Sequence, residues 1–129
     1  EPDLLKKVEP AIVKIAEAAD EGLNPDGSMI YENFVSKKKI DSELHWWVQA
    51  ENVVGHVNLF QHFGDEEALQ IALRCWNFIQ TKLVDKVHGE WHWSLYADGT
   101  VNMKDDKAGF WKCPYHNGRM CMEILERFS

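Results

Sequence analysis

Apolar residues recur at helical spacing in four segments of the chain. Between residues 3 and 21 they recur at steps of three and four, the pattern of a helix with one buried stripe. From Ser42, a suitable N-cap, to Gly64, apolar and polar groups occupy nearly every face, as in a helix covered on most sides. A third helix opens at Asp65 and again carries a single stripe. The first stripe consists of Leu5, Val8, Ile12, Ile15 and Ala19, and the later one of Leu69, Ala72, Leu73, Trp76, Ile79 and Leu83.

Shorter stretches predict extended backbone and turns between these helices. Residues 29–34 follow the turn signal Asn-Pro-Asp-Gly-Ser at 24–28 and are expected to be extended. Residues 91–95 alternate aromatic or apolar with polar side chains and precede Asp98-Gly99, which predicts a β-hairpin. A long loop over 109–119 then leads into a fourth helix over about 117–128. That helix carries Cys121, Ile124, Leu125 and Phe128 on one side.

The order of these elements favours an all-α fold with short β-hairpins between the helices. One-sided and many-sided helices alternate along the chain, as they do in two concentric layers where inner helices are covered on both sides. We therefore expect a helical double layer, a segment of an α/α toroid. A plain four-helix bundle is the alternative.

Composition narrows the class of protein. The 129 residues carry a formal charge of −7, which argues against nucleic acid and anionic membrane surfaces as partners. No stretch is long and apolar enough to span a membrane, and no signal peptide is visible. Cys75, Cys113 and Cys121 lack CxxC spacing, so we expect reduced thiols and a cytoplasmic location.

Candidate chemistry clusters in two places. Six Trp and six His are many for so short a chain, and Trp faces suit the stacking of sugar rings. Trp47 and Glu51 are four residues apart on one helix face, and Gly55 would leave room for a ligand above them. His116, with Arg119 close by, lies at the start of the last helix, where an imidazole can exchange a proton near neutral pH. Purely structural roles, bonding a backbone group or an arginine, remain open for Glu51 and His116.

The segment His88-Gly89-Glu90-Trp91-His92 superficially resembles a metal-binding motif. It is not HExxH, because glycine follows the first histidine, and it lies in an extended stretch that separates the two imidazoles. We expect no metal and no cofactor.

Two motifs carry a specific resemblance. The run HWWVQAE at 45–51 and the run GFWKCPYHNGR at 109–119 resemble, in order and spacing, those of the cellobiose 2-epimerase and N-acylglucosamine 2-epimerase family. The PDGS turn at 25–28 fits as well. The resemblance implies an (α/α)6 barrel, of which residues 1–129 would form one partial domain, the C-terminal third.

The resemblance also implies a reaction. Family members invert C2 of the reducing-end sugar of a β-1,4-linked disaccharide (cellobiose or mannobiose), or of an N-acylglucosamine, through a cis-enediolate. His116 would be one of two acid–base groups, and Glu51 would bind the sugar or tune the imidazole. Trp47 and Trp111 would stack on sugar rings with Trp46 in support, while Arg119 would orient the last helix or help neutralise the enediolate. The second histidine of the pair is expected outside this chain, which would then be inactive alone.

Other readings remain. An aldose–ketose isomerase would use the same enediolate, and a carbohydrate-binding fragment would stack sugars without a second base. A glycoside hydrolase ranks last, because it normally needs two opposed carboxylates and only Glu51 is a candidate. Inner helices of a partial barrel would expose apolar faces, so we expect self-association or marginal stability.

Overall fold

The computed structural model describes residues 2–129, which form four α-helices and two small antiparallel sheets. The helices are α1 (Pro2–Asp20), α2 (Trp46–Phe63), α3 (Glu66–Phe78) and α4 (Tyr115–Arg127). The strands are β1 (Glu32–Phe34), β2 (Lys39–Asp41), β3 (Leu44–His45) and β4 (Ser94–Leu95). The predicted helical fold with short β-pairs is confirmed. No helix within residues 2–129 has the length and apolar content needed to cross a bilayer.

Helix α2 is the centre of the molecule. It is buried on several faces, which confirms the prediction from its mixed pattern, and it ends at Gly64 with φ of 70°. The expected start at Ser42 is wrong, because Leu44 and His45 pair with Leu95 and Ser94 as a short ladder. That pairing holds the chain extended up to His45, which becomes the N-cap. The buried residues of α2 are Trp46, Val48, Gln49, Ala50, Asn52, Val53, Val54, His56 and Val57.

Helix α3 packs one face against α2. Its predicted start at Asp65 is confirmed, and the Asp65 carboxylate caps the helix by accepting a hydrogen bond from the Ala68 N–H at 3.0 Å. The predicted stripe is only partly right: Leu73 is exposed, while Cys75 is fully buried. The helix is therefore rotated so that small residues face α2 and allow close approach. The buried set is Ala68, Ala72, Cys75 and Phe78, continued by Ile79 and Leu83 in a π-turn over 79–83.

The hairpin expected after residue 91 forms only in part. The turn at Asp98-Gly99 is present, since the Tyr96 N–H donates to the Thr100 carbonyl at 2.8 Å and Leu95 bridges to Val101. The ladder of β4, however, is made with β3 rather than with the following segment. The predicted extended segment near residue 30 contains β1, which pairs with β2 as a hairpin.

The prediction of a buried apolar stripe on helix α1 is wrong. All five stripe residues are exposed, Ile15 by 70%. No described element packs over this stripe. The C-terminal end of α1 is held to α2, where the Asp20 Oδ1 lies 3.1 Å from the His56 Nε2.

The three cysteines occupy different environments. Cys75 lies in the core, and its burial raises the thiol pKa to about 12. Cys113 and Cys121 are exposed, and all three are free thiols.

Candidate active site

The candidate site lies where the first turn of α4 meets α2. His116, the second residue of α4, places its Nδ1 2.7 Å from Oε1 of Glu51 on α2. An ionised carboxylate can only accept hydrogen bonds, so Nδ1 carries the proton in this pair. In the neutral tautomer of this pair the unprotonated nitrogen is Nε2, and this nitrogen is the one able to accept a proton from a ligand.

Arg119 completes a charged cluster around the same carboxylate. Its Nη2 donates to both oxygens of Glu51, and its Nη1 donates to Oε1 of Glu123 at 2.6 Å. Arg119 and Glu123 lie four residues apart on α4 and so share a face. The guanidinium is thereby fixed between two helices, with Glu51 on α2 and Glu123 on its own helix.

The charges of this cluster stabilise each other. Burial alone would raise the pKa of the Glu51 carboxyl, but the hydrogen bonds and charges of Arg119 and His116 outweigh it and hold that pKa below its usual value. The hydrogen bond from Arg119 to Glu51 in turn raises the pKa of the guanidinium. Glu51 is therefore ionised at neutral pH and acts as a fixed acceptor for the imidazole.

Two tryptophans flank His116, in different ways. The Trp47 ring is half-buried, and its centroid lies 5.7 Å from that of the imidazole. Trp46 is only 4% exposed and packs on Trp93 at 4.6 Å, so it lies behind the site. Trp111 is 80% exposed on the loop before α4, where its ring contacts Phe110. Of the predicted sugar-stacking residues, the structure brings Trp47 against the imidazole and leaves Trp111 on the surface.

An open cavity of ≈ 440 Å³ adjoins Glu51 and Trp47. The end of α1, the β1–β2 hairpin and α2 line it, with Tyr31 and Asn33 on the hairpin side. Gly55 leaves space here, since no atom lies within 4 Å of the position a Cβ would take. The volume is within the range of small-molecule sites.

Sequence reasoning missed the aromatic side of this region. Tyr31 stacks on His45 with ring centroids 4.1 Å apart, and it meets Trp47 edge-on at 6.1 Å. Burial lowers the pKa of His45, against the opposing effect of Glu43. The only signal in the sequence was its high aromatic content, because contacts between a hairpin and a helix leave no periodic pattern.

The histidine segment at 88–92 is arranged differently from a metal site. The His88 Nδ1 lies 3.2 Å from Oδ2 of Asp85, an oxygen that Lys107 also contacts. Within residues 2–129, no group of three His, Cys, Asp or Glu side chains is placed to hold a metal ion.

An imidazole held by a carboxylate beside a tryptophan face has the groups that acid–base chemistry on a carbohydrate requires. The sequence profile described as N-acylglucosamine 2-epimerase (GlcNAc 2-epimerase) matches residues 5–118, and the chain belongs to this family.

Individual relatives agree with that assignment. The chain is 62% identical over 122 residues to a cellobiose 2-epimerase of Bacteroides fragilis, covering 95% of this chain and 31% of the relative. It is 41% identical over 126 residues to a cellobiose 2-epimerase of Ruminococcus albus, covering 97% of this chain and 32% of that protein. The chain therefore spans about a third of the length of these curated relatives.

Solved structures confirm the fold. The crystal structure of a sugar epimerase from a ruminal bacterium superposes with a TM-score of 0.91 at 40% identity, covering 98% of this chain and 32% of that one. The structure of the cellobiose 2-epimerase from Bacillus thermoamylovorans gives a TM-score of 0.81 at 43% identity, covering 88% and 29%. The predicted segment of an α/α barrel is thus confirmed.

Proposed function

We propose that this chain supplies one acid–base half of a sugar 2-epimerase site. The reaction inverts C2 of the reducing-end sugar of a β-1,4-linked disaccharide, cellobiose or mannobiose, or of an N-acylglucosamine. The observation that carries the proposal is the Glu51-bound imidazole of His116 beside the Trp47 ring. The similarity to cellobiose 2-epimerases over nearly the whole chain supports this choice of substrate.

The proton transfer follows from the orientation of His116. In the open-chain aldose, C2–H is acidic because C1 is a carbonyl. The His116 Nε2 takes this proton, and the C–H electrons move into the C1–C2 bond while the carbonyl oxygen becomes an enediolate oxygen. Return of a proton to the opposite face of C2 gives the epimer, with no net oxidation. That second proton carrier belongs, in this proposal, to the part of the whole protein that its relatives have beyond the matched third.

The other site residues support this step. Glu51 keeps the imidazole tautomer fixed and holds the ring in place, as a carboxylate does for a histidine base. Arg119 fixes Glu51 between two helices and orients the last helix, while its own charge is balanced by Glu51 and Glu123. Trp47 and Trp111 stack on sugar rings, and Trp46 supports them from behind. A single proton transfer contributes about 10²–10⁴-fold, so positioning must supply much of the remaining acceleration.

We also infer that residues 1–129 are one partial domain, the C-terminal third of such a barrel, and that copies of this chain associate. The chain carries both an uncovered apolar ridge on α1 and an apolar groove of ≈ 620 Å³ between α2, α3 and α4. A ridge and a groove of the same chemistry on one chain favour a second copy as the occupant. The residues that line the groove on α3, on α4 and directly after α4 include Leu69, Leu73, Trp76, Cys121, Leu125 and Phe128.

The proposed function is tested by C2 proton exchange in D₂O, followed by NMR, on cellobiose, mannobiose and N-acetylglucosamine. The chain is assayed alone and grafted into the Bacteroides fragilis relative in place of the 122 matched residues. We expect exchange and C2 epimer in the graft, lost with His116→Ala and kept with His88→Ala, which removes an exposed imidazole.

Each other result has a defined meaning. A ketose product would identify an aldose–ketose isomerase on the same site. Sugar-induced shifts of the Trp47 resonances without any exchange would identify a carbohydrate-binding segment. An active graft that survives His116→Ala would contradict the role given to this imidazole.

A further inference from the structure

A lysine is buried behind the candidate site without any role in the proposed proton transfer. The Lys112 side chain is only 1% exposed. Its Nζ donates to Oε1 of Glu90 at 3.0 Å, to the Trp91 carbonyl at 2.9 Å and to the Lys107 carbonyl at 2.7 Å. All three ammonium protons are therefore used. The Nζ also lies 5.4 Å from the centre of the Trp46 ring, a cation–π distance.

The partner carboxylate is shared between two segments of the chain. Oε1 of Glu90 accepts from the Trp91 N–H at 2.9 Å, from Lys112 at 3.0 Å and from the Asn117 Nδ2 at 2.9 Å. Glu90 adopts a left-handed backbone with φ of 64°, directly after Gly89 with φ of 77°. A non-glycine residue keeps such a conformation only where surrounding contacts hold it. Here those contacts turn the carboxylate towards the first turn of α4.

The charge state of the pair agrees with this geometry. Burial lowers the pKa of Lys112, and the hydrogen bond and charge of Glu90 oppose that effect. Burial raises the pKa of Glu90, but the Trp91 N–H and Lys112 outweigh it, and the net shift is downward. Burying an ammonium group is costly unless it is paired and fully hydrogen-bonded, as it is here. Because this burial is costly, we infer that the pair of Lys112 and Glu90 fixes the local geometry rather than adding stability.

The contacts converge on His116 from two directions. Asn117, the next residue along α4, is bonded to Glu90, which fixes the helix turn that carries the imidazole. Trp46 contacts Lys112 on one side and meets the His116 ring edge-on at 6.5 Å on the other. Movement of Glu90 or Lys112 would therefore shift both the backbone and one aromatic neighbour of His116.

We propose that Glu90, Lys112 and Asn117 form a positioning cluster that locks the first turn of α4 so that the His116 imidazole stays on Glu51. The cluster does not touch the reacting atoms and acts only through His116. Its assignment as part of an epimerase site rests on the function proposed above. The histidine-rich segment at 88–92, which resembled a metal motif, thus supplies an anchor for the loop before α4.

The signature of a held imidazole is a low-field proton resonance from Nδ1–H bonded to Glu51. We would record it by NMR on the 129-residue chain and assign it by its loss in His116→Gln. Lys112→Met keeps the buried stem and removes the charge, while Asn117→Ala cuts the link between Glu90 and α4 and leaves the bond from Lys112 to Glu90 in place. The matched control is Ile79→Val, which trims a fully buried core residue in the π-turn after α3.

We expect the resonance to be lost in folded Lys112→Met and folded Asn117→Ala, and retained in Ile79→Val at a similar decrease in melting temperature. A merely structural cluster would lower the melting temperature and leave the resonance in place. If Lys112→Met does not fold, Asn117→Ala decides the question. Retention in the folded variants, or absence from the wild-type chain, would overturn the proposal. The readout needs no turnover, so an inactive graft would count against the epimerase function and leave this result intact.

Discussion

Helix α1 and the packed region that follows it (residues 44–129) place their apolar side chains in opposite environments. Helix α1 has the most regular stripe of apolar residues, and that stripe is exposed along its length. Helix α2 has a mixed pattern, and it is the most thoroughly buried element. Periodicity therefore reports which face of a helix suits an apolar neighbour, and it does not show that the neighbour lies within residues 2–129.

The largest expected difference in the free energy of unfolding is between truncation of a leucine in the packed region and truncation of a leucine on α1. Leu83 is fully buried, whereas Leu5 is 64% exposed. Leu83→Ala should lower the free energy of unfolding by about 2–5 kcal/mol, because it removes buried contacts and leaves a cavity. Leu5→Ala should change it by at most about 0.5 kcal/mol, as exposed positions do. Urea unfolding of both variants at low protein concentration measures the two values.

Protein concentration turns this contrast into a test of self-association. If copies cover α1, the cost of Leu5→Ala should grow with concentration, and sedimentation should show fewer oligomers in this variant. A large, concentration-independent cost would mean that α1 is covered within a single chain, against the structure. A stable monomer at all concentrations would contradict the association proposed for this chain.

The second contrast concerns the turn that joins α1 to the packed region. Gly27 and Gly99 share the same left-handed φ of 82°. A Cβ on Gly27 would lie 2.6 Å from the backbone nitrogen of Cys75, whereas a Cβ on Gly99 would meet nothing within 4 Å. We expect Gly99→Ala to cost about 1–2 kcal/mol from backbone strain alone. Gly27→Ala adds a clash with helix backbone worth about 1–3 kcal/mol.

The same unfolding experiment compares the two glycine variants. A larger loss for Gly27→Ala would show that the turn is pressed against α3. Equal losses would mean that the turn moves freely away from α3 and that α1 is joined to the rest by a loose connection.

Local signals predicted much of the fold but not its pairings. The helix start at Asp65 and the stop at Gly64 depend on neighbouring residues only, and both are confirmed. The start of α2 was wrong because β3 pairs with β4, fifty residues away in sequence. The stripe of α3 was misplaced because Cys75 and Ala72 allow closer helix packing than the larger Leu73.

The candidate site shows the same division. Spacing placed Trp47 and Glu51 on one helix face, and the motifs carried His116 by resemblance. The contact between Glu51 and His116 spans 65 residues and could not be read from spacing. The hydrogen bond between Arg119 and Glu123 could have been predicted from spacing, because the pair lies at i and i+4. Nothing in the pattern marked Lys112 as buried, since lysine is ordinarily exposed.

The smallest expected effect concerns the pH dependence of stability around Glu51. Its pKa in the folded chain lies below the usual value of 4.5, so folding is favoured above that pH and the contribution is lost as the pH falls. Glu51→Gln removes the ionised acceptor for Arg119 and His116. Because the carboxylate is partly exposed, we expect a loss of only about 0.2–1 kcal/mol at pH 7. The two proteins should converge in stability as the pH falls below 4.5.

Glu67→Gln is the matched control, since Glu67 forms an exposed ion pair with Arg74 on α3. It removes one carboxylate from the packed region without touching the candidate site. We expect its effect at pH 7 to be smaller than that of Glu51→Gln, because the ion pair of Glu67 is exposed. If Glu51→Gln gave a flat difference across this pH range, the carboxylate would not be stabilised by Arg119 and His116 in solution. The imidazole would then lack the fixed acceptor on which its orientation depends.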